Sequence, residues 1–171
     1  MYETPQEIDE LQALIDRSFA GAGPHLLKIM TPERRLTARQ VVRYMDGIKH
    51  ISLGTVTAKG EPRVAPLDSY LVHGRFIAST GGNSIRLRHM RARPQVSLTH
   101  LVGDDIALVV NGRAVIIERG QPEAEELDRI ATGIYGSSPF SWGEGVAFIR
   151  VEPDVMFAYA FHPENFPDID D

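Results

Sequence analysis

Cysteine is absent from the 171 residues, which excludes a disulfide framework, a thiolate nucleophile and any cysteine-ligated metal. Long apolar runs are missing as well: no stretch approaches the roughly 20 residues needed to span a bilayer. The opening residues, MYETPQEIDE, are acidic and lack the apolar centre of a secretory signal, so the expectation is a cytoplasmic protein with no membrane partner. Excess positive charge is lacking too. Eighteen Lys and Arg stand against 23 Asp and Glu, a formal net charge of -5, which argues against a nucleic-acid partner held by phosphate neutralisation. The chain has no P-loop and no G-x-G-x-x-G, and Gly136-Ser137-Ser138-Pro139 follows a helical pattern rather than the strand a nucleophile elbow requires. None of the six histidines (His25, His50, His73, His89, His100, His162) is spaced with a carboxylate so as to build a metal site. One scarcity is local. No Asp or Glu occurs between Asp68 and Asp104, while that interval carries Arg75, Arg86, Arg88, Arg91 and Arg93.

What is present reads as an ordinary globular domain of 43% hydrophobic and 24% charged residues, long enough for one core. Thr4 with Glu7 makes a capping box ahead of a helix to Ser18, with Ile8, Leu11, Ile15 and Phe19 on one face. The residues from His25 to Met30 carry no assignable pattern. Thr37 with Gln40 starts a second helix that Gly47 ends. From His50 the period becomes two, giving one strand to Thr57 and another over Arg63–Val72, where Pro66 demands a bulge or an edge. His73-Gly74 turns the chain into a strand over Arg75–Thr80. Gly81-Gly82-Asn83 and Ser84 lead into a helix over Ile85–Ala92, and a strand covers Gln95–Val102. Ile106–Glu118 contains Asn111-Gly112, which is either a hairpin turn or a bulge in one long strand. A helix opens at Pro122 with Leu127, Ile130, Ala131 and Ile134 as its buried stripe. A Gly/Ser-rich loop then carries Trp142, and Val146–Phe161 forms a strand pair or one strand broken at Pro153. The class is α+β: about six strands in an antiparallel barrel-like sheet with flanking helices. The expected division of this single domain is an N-terminal helical extension over 1–47, the barrel over 48–161 and an acidic, extended tail over 162–171.

The acid-free interval suits an anionic ligand. With Ser84 as the cap, the free amides of the next turn and Arg86 at its second position point the same way. Thr80 and the Gly81-Gly82 backbone add neutral donors, and Arg63 on the neighbouring strand could supply a second guanidinium fork. Helical geometry puts Arg86, His89 and Arg93 on one side and Arg88 and Arg91 on another, so the basic groups cannot all serve one ligand. A solvated arginine-rich face is the alternative. Trp142 is either a lid over a planar ligand or a packed core residue.

The order G-E-P-R-V-A-P-L, hairpin, F-I-A-S-T, glycine turn, S-x-R-x-R and R-P-Q-V-S-L resembles the pyridoxamine 5'-phosphate oxidase-like, FMN-binding split-barrel superfamily. The resemblance covers residues 40–118 well and the N-terminal 35 hardly at all. It implies a six-stranded antiparallel split β-barrel with a Greek-key order, forming a homodimer with a flavin site at each interface. It also implies that Arg63, Val64, Ala65, Pro66 and Leu67 lie along the flavin ring, with Ser79 and Thr80 beside it. Arg63, Ser84 and Arg86 would hold its phosphate, and Arg88 matches a less constant position. Four departures accompany it. Ile85 stands where many members carry another arginine, and Ala107 replaces a flavin-contacting glutamine. Asp68 replaces a lysine used for a substrate phosphate, and the C-terminal arginine–histidine substrate motif is missing.

The implied function is therefore a flavin-dependent oxidoreductase using FMN and an unidentified small substrate other than pyridoxamine phosphate. The cofactor carries the hydride chemistry, so no catalytic side chain is expected. A deazaflavin-dependent reductase is the close alternative. A non-enzymatic carrier of flavin or haem, with His89 or His100 as iron ligand, is the other.

Overall fold

The computed structural model describes residues 1–169; Asp170 and Asp171, the end of the expected tail, lie outside the described residues. Six strands form one closed antiparallel barrel: β1 (Lys49–Val56), β2 (Pro62–Val72), β3 (Arg75–Thr80), β4 (Gln95–Val102), β5 (Ile106–Glu118) and β6 (Ala147–Ala160). Their order around the barrel is β1-β2-β3-β6-β5-β4. Five helices flank it: α1 (Pro5–Ala20), α2 (Pro24–Ile29), α3 (Ala38–Tyr44), α4 (Ile85–Ala92) and α5 (Pro122–Tyr135). The unassigned residues after Gly23 thus form the short helix α2.

Both capping boxes are in place. Thr4 Oγ1 accepts from the Glu7 amide and Thr37 Oγ1 from the Gln40 amide, so each helix starts where side chains take up its free donors. α1 buries Leu11, Ile15 and Phe19 in the barrel's main core beside Val41 of α3 and Met45, the residue that caps it. The Ser18 hydroxyl ties it to β6, accepting from the Met156 amide at 2.9 Å. On the opposite side, Leu127, Ile130 and Ala131 of α5 cover Tyr70, Ile77 and Phe148 in a second core. The described part of the tail docks on α3: Gln40 donates to the carbonyls of Pro163 and Phe166, and Arg39 pairs with Asp168 at 2.6 Å.

β5 and β6 pair along their whole lengths, so Ile106–Glu118 is one strand and Ala147–Ala160 is another. The irregularity near Asn111-Gly112 falls on the partner strand. Asn111 faces Val155 and Gly112 faces Pro153, which leaves Asp154 as the extra residue. A Cβ at Gly112 would lie 2.0 Å from the Glu152 carbonyl oxygen. The glycine is there to let β6 approach.

The seam that matters for function is short. β2 meets β3 only over Tyr70–Val72, while Pro62–Ser69 pair with β1 alone among the described residues. His73 and Gly74 both have positive φ, at 52° and 69°, the signature of a two-residue type I′ turn. Such a turn makes Val72 and Arg75 the hydrogen-bonded pair, so even-numbered residues of β2 direct their backbone groups away from β1. Pro66 is one of them. It sits at an edge without a bulge, and its carbonyl faces the open side, where Arg86 reaches it.

Candidate functional site

α4 starts beside this open edge. The Ser84 hydroxyl accepts from the Leu87 amide at 3.3 Å and from Thr80 Oγ1 at 3.0 Å, so the end of β3 and the first turn of α4 are tied together. Gly82 packs so closely on Gly145 that a Cβ there would lie 2.5 Å from its carbonyl, which anchors the glycine turn against the start of β6. Arg86, half-buried at the second helical position, donates a long 3.5 Å bond to the Pro66 carbonyl.

A hollow of about 510 Å³ opens here, lined by Leu53, Thr55, Thr57, Arg63, Val64, Ala65, Ser84, Ile85, Arg86 and His89. Its size falls within the usual range for small-molecule sites. Its lining includes two arginines, a histidine and the N-terminal residues of α4, and no carboxylate residue among those described. That donor set fits an anion such as a phosphate. Arg63 is engaged in the structure: its guanidinium holds Glu61 at 2.7 Å and the Pro62 carbonyl at 2.9 Å. His89 lies in the wall with Nδ1 3.0 Å from Thr55 Oγ1.

The expected site residues divide into two groups. Arg63, Val64, Ala65, Ser84 and Arg86 share the first hollow, and Thr80 stands behind Ser84. Pro66, Leu67, Ser79 and Trp142 line a second hollow of about 360 Å³ further along the same edge, together with His50, Asp68 and Tyr135. Trp142 is 49% exposed. Its Nε1 donates to Ser137 Oγ at 2.9 Å and its ring meets Tyr135 edge-on, with centroids 5.0 Å apart. Burial, with the Asp68 carboxylate adding to it, pushes the Tyr135 hydroxyl up to about 12. Asp68 faces His50 across β1–β2, its carboxylate 2.8 Å from Nδ1. Arg88 is exposed, points to neither hollow, and has no hydrogen bond or ion pair among the described residues.

The basic interval is less uncompensated than its sequence. Arg75 pairs with Glu152 and Arg91 with Glu118, each at 2.6 Å, and Arg93 donates to the Ala58 carbonyl. The compensating acids come from other strands, which a local charge count cannot see. His100 is buried with Nε2 2.8 Å from the Tyr44 hydroxyl and Nδ1 2.7 Å from the His50 carbonyl oxygen. With both ring nitrogens engaged, it does not fit the role of iron ligand. No group of three His, Asp or Glu gathers into a metal site among the described residues, and no helix is long and apolar enough to cross a membrane.

The family model described as pyridoxamine 5'-phosphate oxidase matches residues 38–157, from the start of α3 into β6. The chain belongs to the pyridoxamine 5'-phosphate oxidase family. Among solved structures, a conserved hypothetical protein of Mycobacterium tuberculosis is similar, with a TM-score of 0.66 at 14% identity, over 82% of this chain and 94% of that one. An FAD-binding protein of Mesorhizobium loti gives 0.56 at 21% identity, over 73% and 93%. An F420 reductase gives 0.53 at 17%, over 66% and 91%. These likenesses establish the family's barrel. No curated protein matches by sequence.

Proposed function

We propose that the protein is a flavin-dependent oxidoreductase that holds FMN along the open edge of β2, at the interface of a homodimer. The observation that carries this reading is the first hollow. In a chain of net charge -5, it gathers Arg63, Ser84, Arg86 and the α4 N-terminus with no carboxylate in its lining among the described residues. The unpaired backbone of β2 runs directly from it. When bound, FMN supplies the hydride and electron transfer of such enzymes. Arg86 and the first-turn amides of α4 would hold its phosphate, with Ser84 fixing that turn. Arg63 would join them on leaving Glu61. The outward backbone of Val64, Pro66 and Asp68 would orient the flat ring and exclude water from one side. Homodimer formation is supported by apolar surface at the same edge. Val64 is 70% exposed and borders a further hollow lined by Val56, Val96 and Gly112. A cytoplasmic setting accompanies this reading.

Arg88 favours a second reading of the same site, a deazaflavin coenzyme. Exposed and unpaired among the described residues, on the side of α4 turned away from Arg86, it could meet the extended acidic portion of that longer ligand.

The visible absorbance spectrum decides among these. The protein as purified, or mixed with FMN, is expected to show a flavin spectrum at about one equivalent per subunit. A deazaflavin spectrum selects the second reading, and a haem Soret band selects a carrier. A protein that takes up neither FMN nor deazaflavin overturns the enzyme assignment.

A further inference from the structure

The two hollows along the β2 edge differ in charge. The first is lined by Arg63, Arg86 and His89, without a carboxylate among the described residues. The second contains a carboxylate, Asp68, and no Lys or Arg. Asp68 is half-exposed, and its one ion-pair partner among the described residues is His50, which lines the same hollow from β1. The other walls are Pro66 and Leu67 below, Ser79 on β3, and the paired rings of Tyr135 and Trp142. These features point to one kind of occupant. Half-exposed aromatic rings held in place by their own contacts offer a stacking surface. A carboxylate next to them attracts a cation or an N–H donor and repels an anion. The field of Asp68 already reaches the aromatic wall, since it helps hold the Tyr135 hydroxyl protonated.

We propose that the second hollow is the substrate end of the groove, and that it takes a flat ring bearing a positive charge or a neutral N–H donor while rejecting carboxylate and phosphate substrates. The inference rests on the flavin reading for its word "substrate". The ligand preference itself rests only on Asp68, Tyr135 and Trp142. Polarity along the groove then sorts its two occupants. The cofactor's phosphate belongs at the Arg86 end, and an anionic substrate has no favourable place at either end once that phosphate is bound.

Trp142 is the chain's one tryptophan, so intrinsic fluorescence reports on this hollow directly. The experiment titrates the full chain with three rings of similar shape: 1-methylnicotinamide, a cation; nicotinamide, neutral; and nicotinate, an anion. The order of affinity expected from quenching is cation, then neutral, then anion, with cation and anion separated by about tenfold or more at low salt. Asp68→Asn is expected to shrink that separation to about threefold or less, and Asp68→Lys to reverse its order. Circular dichroism checks that both variants are folded. Equal or reversed affinities in the unsubstituted protein overturn the proposal, as does the absence of quenching by both the cation and the neutral ring at millimolar concentration. An Asp68→Asn variant that keeps the full separation overturns it too. Flavin content is read from visible absorbance in the same samples. A protein that shows the cation preference but takes up no flavin refutes the cofactor reading alone. One that binds flavin but not the cation refutes this inference alone.

Discussion

Arg86→Ala is expected to weaken FMN binding by roughly ten- to a hundredfold, while Arg88→Ala leaves it unchanged. The two arginines are two residues apart on α4, which places them about 200° apart around the helix. Arg86 is half-buried in the wall of the first hollow. Its one hydrogen bond among the described residues, to the Pro66 carbonyl, is long at 3.5 Å, so little is given up when it turns to an anion. A hydrogen bond to a charged group contributes about 1.5–3 kcal/mol, and each 1.4 kcal/mol is about tenfold in affinity. The α4 amides and Ser84 remain in the variant, so binding weakens without vanishing. Titration of flavin fluorescence at fixed ionic strength measures the ratio, and circular dichroism confirms that α4 survives. Glu61→Gln probes the same site from the other side. It frees Arg63 from its exposed ion pair, worth about 0–1 kcal/mol, and is expected to tighten binding by about fivefold at most. An unchanged affinity in Arg86→Ala, or equal losses in Arg86→Ala and Arg88→Ala, would refute the phosphate site as described.

Three further expectations concern the scaffold. Gly112→Ala forces a methyl group against the Glu152 carbonyl, 2.0 Å away. It should cost about 3 kcal/mol or more, read by denaturant unfolding; a loss below about 1 kcal/mol would show that β6 yields easily there. Tyr70 is buried, and its hydroxyl has no partner among the described residues. Tyr70→Phe should therefore stabilise the protein by about 1 kcal/mol, and a clear loss would reveal a bond to that hydroxyl. His73 holds Glu7 of α1 at 3.0 Å and Glu126 of α5 at 3.5 Å. Burial alone would lower its pKa, but the two carboxylates outweigh this and raise it. For Glu7, burial is likewise outweighed, by the Thr4 amide and His73, and its pKa falls. The His73 contribution is complete below about pH 6.5 and is lost as pH rises through the raised value. The Glu7 contribution is complete above about pH 4.5 and is lost as pH falls through the lowered value. Both are fully present between those limits. His73→Asn keeps the positive-φ turn and should flatten the fall in melting temperature above pH 6.5; an unaltered pH profile would remove His73 from this role.

Most of the fold was legible because its signals are local. Capping at Thr4, Thr37 and Ser84, the alternation of β1 and β2, and the turn residues at His73-Gly74 each act within a few positions, and the strands and helices begin close to where these place them. What was not legible depends on partners far along the chain. Asn111-Gly112 was ambiguous because the extra residue that bends the ladder is Asp154, more than 40 positions away. Arg75 and Arg91 read as unpaired because Glu152 and Glu118 reach them only through the barrel. The convergence of Arg63, Ser84 and Arg86 followed from the order of strand, turn and helix. The facing of His50 with Asp68, and of Tyr135 with Trp142, required the register of β1 on β2 and the path of the loop after α5.

The proline spacing in β2 has a consequence for solubility. Four residues, Pro62, Val64, Pro66 and Asp68, direct their backbone outward along the unpaired edge, but two of them have no N–H to give. A stray strand from another chain would find half of its expected donors missing and a carboxylate at the last position, the same devices that keep natural sheet edges from templating fibrils. A compact ring needs only one or two such bonds, so the edge can stay open to a small ligand while remaining a poor site for strand addition.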